Sequence, residues 1–385
     1  MKIGLICPAD FTVLLCCKWI IKNLQNKGYE VIIISPLSED NFFIKEILKF
    51  NVVHVNIKMN RHVNVLDDFK YIIDLYKIFK KHNINSLFSV CTKPNIYSPL
   101  AGKLAGIKKI YTSIWGRGTA FLESQKLKDI ILKLIILFLY KISFQISNLV
   151  WFTNPNDLNY FLSKKLIKKE KTILTYNYID SEIYKPQKIT NNQLNNIRRE
   201  FQLKENDFII ILVGRMIWSK GIKEFVEAGR ILYKKYPNLK LLLVGAEEKN
   251  NPDAIPNDYL KKISKLEFLK WAKFRKDVPL LYCLSKIAVL PSYYKEGGYP
   301  RAVTEPMSIG IPVIAADTPD CRGPIENMKN GILISPKRPD ELAEKIKLLI
   351  EDKKLYDKLS LNGRATIIEK FDEKKIVKKL IDEIF

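Results

Sequence analysis

Short apolar runs alternate with helix-length segments along most of this chain, and that alternation leaves few folds open. Strand-length runs fall at 3–7, 31–35, 52–57, 87–90, 110–114 and 149–153, with helical patterns such as 14–26, 65–82 and 126–146 between them. Strand–helix alternation of this kind predicts a parallel, doubly wound sheet. From 177 to 207 the pattern dissolves into polar, Asn-rich sequence that reads as a linker with a short helix. It then restarts, with strands at 209–213, 241–244, 266–269, 287–290, 312–315 and 332–334 and helices including 222–234, 278–285 and 341–350. Two α/β halves joined mid-chain predict a bilobal molecule with a cleft, a preferred place for small-molecule sites. A length of 385 residues suits two such domains.

Composition narrows the chemistry. Hydrophobic residues at 47% and charged residues at 27% are those of a folded, soluble protein. The six cysteines form no C-x-x-C pair, which fits buried thiols in a reducing cytoplasm better than a disulfide or zinc framework. Met1-Lys2 leads straight into an apolar run with no cleavable-looking signal. The three histidines, His54, His62 and His82, all lie in the first quarter, which argues against a zinc hydrolase or a Ser-His-Asp enzyme. The net charge of +23 calls for a polyanionic partner or a lysine-rich coding bias. Lysine outnumbers arginine and the Arg-rich, aromatic-interleaved pattern of nucleic-acid readers is missing, so an anionic membrane surface is the better candidate and nucleic acid is not expected.

Two segments carry candidate chemistry. In LPSYYKEGGYPRAVTEPMSIGIPV, residues 290–313, a strand end opens into a turn-rich loop with Glu296, Gly297, Gly298 and Tyr299. A helical run with Glu305 follows. Ligands of parallel sheets sit outside the carboxyl ends of strands, glycines admit close backbone approach, and ionised carboxylates accept hydrogen bonds from paired hydroxyls. The plain alternative is a strand–turn–helix with two solvated glutamates. In the second segment, Gly214-Arg215 follows a strand and Ser219-Lys220-Gly221 precedes a helix. Arg215 would offer a planar bidentate grip on phosphate and Lys220 a mobile, exposed point charge. Together they would stabilise a departing diphosphate. The alternative is two surface cations near a turn.

These residues resemble the donor-binding signature of the retaining glycosyltransferases of family 4, which have the GT-B fold. The likeness rests on Pro291, Ser292, Glu296, Gly297, Pro300, Glu305, Gly310, Pro312, Val313 and Ile314, and on Gly214, Arg215, Lys220 and Gly221. One residue, Gly298 or Tyr299, looks inserted between the two glutamates. The resemblance implies two Rossmann-like doubly wound domains facing across a cleft: 1–180 on the acceptor side, a linker at 181–207, 208–370 on the donor side, and a final helix at 371–385 packing back on the first domain. It implies Arg215, Lys220 and Glu296 as the reacting set. Gly214 and the backbone around Gly297, Gly298 and Tyr299 would bind the donor, and Glu305 the ribose. Residues 274–278 resemble the family's G-x-x-x-D-V turn against the base, with Ala272 or Lys273 in the glycine's place; Asp277 is expected to cap the helix that follows. In the first domain, Trp115, Gly116 and Gly118 stand where the acceptor would approach, and Trp115 replaces the His or Glu of many members. The structural alternative for Trp115 is a packed aromatic. The loop 8–12 could also face the cleft.

The expected activity is hexosyl or N-acetylhexosaminyl transfer from a nucleotide-diphosphate sugar, UDP-linked before GDP-linked, to a glycan acceptor such as a lipid-linked one. No D-x-D triplet occurs, which fits a metal-independent reaction, and no cofactor is expected beyond the nucleotide sugar. A GT-B sugar-nucleotide 2-epimerase and a non-catalytic membrane-surface scaffold are the competing readings. The first would need histidines that the second half lacks, and intact Arg215, Lys220, Glu296 and Glu305 speak against the second. The segment 126–146 is apolar nearly all round, and its longest uncharged run, 134–140, is too short to span a bilayer. It is expected to be a buried helix, or else an interfacial one with Lys126, Lys128, Lys133 and Lys141 toward lipid headgroups. A cytoplasmic protein, peripheral at the inner membrane face, follows from these readings.

Overall fold

The computed structural model describes residues 1–385 except 40, 61–63, 118–120, 122–126, 176, 186–188, 249–250, 295 and 297. The chain divides into two compact units, Met1–Asn177 with Glu373–Phe385, and Tyr178–Asp372. In the first, strands β1 (Lys2–Ile6), β2 (Glu30–Ser35), β3 (Val53–Asn56), β4 (Ser86–Val90), β5 (Lys109–Ile114), β6 (Leu149–Phe152) and β7 (Thr172–Leu174) form one sheet in the order β3-β2-β1-β4-β5-β6-β7. In the second, β8 (Phe208–Val213), β9 (Leu239–Val244), β10 (Leu269–Trp271), β11 (Ile287–Leu290), β12 (Val313–Ala316) and β13 (Ile332–Ile334) are ordered β10-β9-β8-β11-β12-β13. Every pairing in both sheets is parallel. These are the two Rossmann-like sheets expected.

The strands are apolar throughout because both their faces are covered. In β8, Ile210 and Leu212 point into one core while Ile209 and Ile211 point into the other, the two-residue alternation of an extended chain. Helices return each strand's end to the start of the next, so the helix N-termini gather at the carboxyl edge of each sheet.

Several local expectations shift. The segment 14–26 belongs to two helices, Asp10–Cys16 and Lys18–Asn26, broken at Cys17. The strand expected at 266–269 lies at Leu269–Trp271. Residues 181–207, read above as a linker, fall within the second unit. They hold the helix Asn191–Phe201, which opens with a Thr190–Gln193 capping box and buries Ile197 in the core, with Leu194 and Phe201 packed against it. The last helix, Glu373–Ile384, packs on Lys18–Asn26 within the first unit, and Phe385 meets Tyr29 and Tyr111 edge-on.

The helix Leu127–Ile146 is buried along one side only. Ile136, Tyr140 and Phe144 enter the core, whereas Leu127, Leu134 and Phe138 are 72%, 61% and 63% exposed. A helix on the outer face of the layer has one side to bury, so its remaining apolar residues face outward. No helix among the described residues is long and apolar enough to cross a membrane.

Candidate functional site

The order of the second sheet reverses between β8 and β11. The chain lays β9 and β10 on one side of β8, then returns to place β11 on the other. Loops leaving two such neighbours part at their carboxyl ends and open a crevice there. The two sequence motifs are the segments that leave these two strands.

After β8, Gly214 and Arg215 lead into a single 3-10 turn, Trp218–Lys220, and the helix Ile222–Tyr233 begins at Gly221. Gly221 has φ +77°, and a Cβ there would fall 2.3 Å from the carbonyl oxygen of Pro291. Only glycine meets both demands, and it brings the β8 loop against the β11 loop. The Ser219 carbonyl accepts hydrogen bonds from the amides of Tyr293 (2.9 Å) and Tyr294 (3.1 Å) and from Ser292 Oγ (3.2 Å). Ser219 N in turn donates to Asp253 Oδ2 at 3.0 Å.

This lacing delivers Lys220 to Glu296. Nζ lies 2.5 Å from Oε1, and Ser292 Oγ donates to the same oxygen at 3.0 Å. Lys220 is therefore not the exposed cation expected: its side chain is 9% exposed and that of Glu296 12%. The Glu296 amide donates to Asp320 Oδ2 at 2.9 Å, from the short helix Pro319–Arg322 that follows β12. Arg215 and Lys220 both stand over the Tyr294 ring, at 5.0 and 5.5 Å from its centroid, where the π face is attractive to cations. Burial pushes the neighbouring Cys321 thiol up to about 12. The Glu296 and Asp320 carboxylates add to that shift, while Thr318 and Lys220 oppose it, so these groups share one small neighbourhood.

Glu305 forms a separate cluster. It lies on the helix Arg301–Ile309, accepts from Arg301 Nε at 2.8 Å, and is buried beside Tyr184 and Tyr282. Burial first, and the Glu305 carboxylate second, hold both tyrosine hydroxyls above their ordinary range. Glu305 and the Lys220–Glu296 pair thus have different partners, Arg301 for the first and Ser292 for the second. Tyr299 turns its ring to the core, against Gly323 and, edge-on, Phe371. Gly298 is described and buried; Gly297 lies outside the described residues.

In the segment that resembles G-x-x-x-D-V, Lys273 takes φ +53°, a left-handed conformation that glycine adopts readily. Asp277 stands at the helix N-cap position but makes no cap hydrogen bond. Its two oxygens hold Arg275 at 2.8 and 2.7 Å, because a guanidinium two residues away offers a fork matching the carboxylate.

In the first unit Trp115 packs edge-on against Trp151, its centroid 6.3 Å away. Gly116 has φ +126°, and Gly118 lies outside the described residues, as do His62 and Lys126. Arg117 pairs with buried Asp157 at 2.7 Å and stacks on Tyr160. In the loop 8–12, the Asp10 carboxylate is engaged by the Phe11 amide and by Ser38 N and Oγ. Sequence reasoning missed Asp320, Tyr294 and Asp253. A signal existed for Asp320, which follows a strand's carboxyl end as the two motifs do; none existed for Asp253.

Over residues 194–366 the chain matches the family model described as Glycosyl transferases group 1, and over 2–154 that of Glycosyl transferase 4-like. It belongs to the family 4 glycosyltransferases. A Campylobacter jejuni relative, N,N'-diacetylbacillosaminyl-diphospho-undecaprenol alpha-1,3-N-acetylgalactosaminyltransferase, is 27% identical, with 99% of this chain and 97% of the relative covered. An Escherichia coli relative, UDP-Gal:alpha-D-GlcNAc-diphosphoundecaprenol alpha-1,3-galactosyltransferase, is 26% identical over 84% of this chain and 80% of its own. Among solved structures, a glycosyltransferase from Rickettsia africae superposes with a TM-score of 0.78 at 20% identity, covering 100% of this chain and 98% of that one. Anabaena HepE in complex with UDP-glucose gives 0.76 at 18%, with the same coverage. The architecture of the transferase is GT-B.

Proposed function

We propose that this transferase moves a hexosyl or N-acetylhexosaminyl group from a UDP-sugar to a lipid-diphosphate-linked glycan, with retention and without a metal ion, at a membrane surface. The observation that carries the reading is the Lys220–Glu296 pair at the β8/β11 switch point, with Arg215 over the same tyrosine. A diphosphate seated there would meet two cations at its leaving oxygens, and Glu296 would be close enough to accept hydroxyl hydrogens of the transferred sugar. In this reading the bond between the sugar's C1 and the phosphate oxygen breaks as the acceptor oxygen bonds C1 from the same face. The acceptor proton passes to the departing phosphate. Leaving-group stabilisation by Arg215 and Lys220 carries the rate.

The relatives' names support the donor and acceptor classes. Both describe alpha-1,3 transfer to a sugar on diphospho-undecaprenol, and one names UDP-Gal, itself an α-linked donor. The first unit supports the membrane reading. Its helix Val65–Lys81 exposes Val65, Leu66 and Phe69, and its helix Leu127–Ile146 exposes Leu134 and Phe138. The helix Thr92–Leu104 packs between them. Lys70, Lys77, Lys128 and Lys141 are exposed on the same helices, the amphipathic and cationic character of a surface that meets anionic lipid.

A thermal-shift panel of UDP-, GDP- and dTDP-sugars tests the donor, and stabilisation by UDP-sugars alone is expected. Calorimetry with UDP then tests the ribose role: Glu305→Ala should weaken binding about tenfold or more. Unchanged UDP affinity would remove Glu305 from the reading.

A further inference from the structure

The ring of Tyr299 lies where any side chain at residue 323 would have to be. A Cβ built on Gly323 would come within 1.9 Å of Tyr299 Cε1, 2.1 Å of Cζ and 2.6 Å of Cδ1. The far side of the ring meets Phe371 edge-on, its centroid 5.7 Å away, within the second unit's core. Tyr299 is thus a plug in a notch that only glycine can leave open.

The notch belongs to the same turn that holds Glu296. Asp320, three residues before Gly323, accepts the Glu296 amide at 2.9 Å. Tyr299, three residues after Glu296, enters the Gly323 notch. One turn after β12 therefore grips the β11 loop at two points, on either side of the backbone that leads from the Lys220 pair to the helix Arg301–Ile309. Ser292 fixes the loop's first end, through its hydroxyl, to Ser219 O and Glu296 Oε1. Among the described residues, the Tyr299 contact and the Asp320 bond hold the second end of the loop.

We propose that Tyr299, seated on Gly323, is a positioning residue that fixes where the Glu296 carboxylate meets Lys220 and hence the transferred sugar. The inference rests on the reading of Glu296 and Lys220 as donor-sugar contacts. It separates binding of the nucleotide from placement of the sugar, which depends on the loop. A displacement near 1 Å at a reacting centre costs on the order of 100-fold in rate.

The test measures UDP release from UDP-N-acetylgalactosamine and UDP-galactose, UDP affinity by calorimetry, and Tm, for Tyr299→Ala, Tyr299→Phe, Gly323→Ala and the Tyr299→Ala/Gly323→Ala double variant. Lys220→Ala and Glu296→Gln serve as controls. Tyr299→Ala and Gly323→Ala should each lower kcat/KM for the donor about 30-fold or more while UDP affinity stays within about threefold. The double variant should be no worse than either single one, because the same contact is lost once. Tyr299→Phe, which keeps the ring, should stay within about threefold. Near-normal turnover in Tyr299→Ala with inactive Lys220→Ala would overturn the positioning role and leave the donor reading standing. Near-normal turnover in both controls would overturn the donor reading itself. Equal losses of UDP affinity and turnover in Tyr299→Ala would mark it as a general stabiliser and also overturn the proposal.

Discussion

Replacing Lys220 tests the site through stability as well as through turnover. Its ammonium and the Glu296 carboxylate are both nearly excluded from solvent at 2.5 Å. Removing one partner of such a pair costs about 3–5 kcal/mol, because the other charge stays buried without compensation. Here Ser292 Oγ still donates to Glu296 Oε1, so Lys220→Ala should sit at the lower end, about 3 kcal/mol. For a unit of this size that is a fall in Tm of about 6–12 °C. Lys220→Met with Glu296→Gln removes both charges, keeps the volume and keeps the Ser292 hydrogen bond, so the double variant should lose only about 1 kcal/mol. Scanning calorimetry on the full chain at one ionic strength should therefore find the double variant about 2 kcal/mol more stable than Lys220→Ala. Both variants should be inactive, since each lacks the cation at the leaving diphosphate. A Tm for Lys220→Ala within about 1 °C of wild type would refute the reasoning, because it would mean the carboxylate was never buried against the ammonium.

Other consequences follow from single contacts. Gly221→Ala meets both a φ of +77° and the Pro291 carbonyl at 2.3 Å, whereas Gly28→Ala meets a φ of +80° with nothing within 4 Å. The second should cost about 1 kcal/mol and the first clearly more, and equal Tm values would show that the loops do not touch as described. Alkaline pH should destabilise both units, because burial raises Cys17, Tyr71, Cys91 and Tyr140 in the first. In the second, burial raises Cys321 to about 12 and lifts Tyr184 and Tyr282, so the folded chain keeps protons that an unfolded chain releases above about pH 8.5 for cysteine and 10 for tyrosine. Their stabilising contribution is complete below those values and is lost as pH rises, so Tm should fall between pH 8 and 10.5; a flat profile would count against it. Phe138→Asp and Leu134→Asp should each reduce flotation with phosphatidylglycerol vesicles and leave the Tm nearly unchanged, since both side chains are outside the core. Equal recovery of wild type with neutral and anionic vesicles would remove the electrostatic part of the membrane reading.

What the sequence disclosed and what it hid divide along a physical line. Strand identity was legible because the strands are covered on both faces, and a continuous run such as Phe208–Val213 can hardly be anything else. The helix Asn191–Phe201 was concealed by its asparagines, although Leu194, Ile197 and Phe201 recur at the spacing of one helical face. Site residues were legible when a backbone rule tied them to a strand's end, as for Lys220 and Glu296. Their burial was not, because pairing two charges across two loops is a tertiary event that lies 76 positions apart in the chain. Asp253 escaped for the same reason, and the holding role of Asp320 did too, although its place after a strand's carboxyl end was a signal. Each acts on a backbone amide from a distant loop, and no local pattern marks an acid that holds a main chain in place.

Lys273 shows the converse. A lysine at φ +53° is a residue in a conformation that L side chains disfavour by about 1–2 kcal/mol. No sequence pattern identifies such a residue, and only its backbone does. That backbone is held from outside: Gly245 N donates to the Lys273 carbonyl at 2.8 Å, and the Lys273 ammonium stands 5.9 Å from the Trp271 ring centroid. The left-handed turn is thus held by its neighbours and not by a glycine of its own. The Tyr299–Gly323 contact carries the same logic in reverse, with the glycine indispensable because a neighbour's ring, rather than its own backbone, demands it.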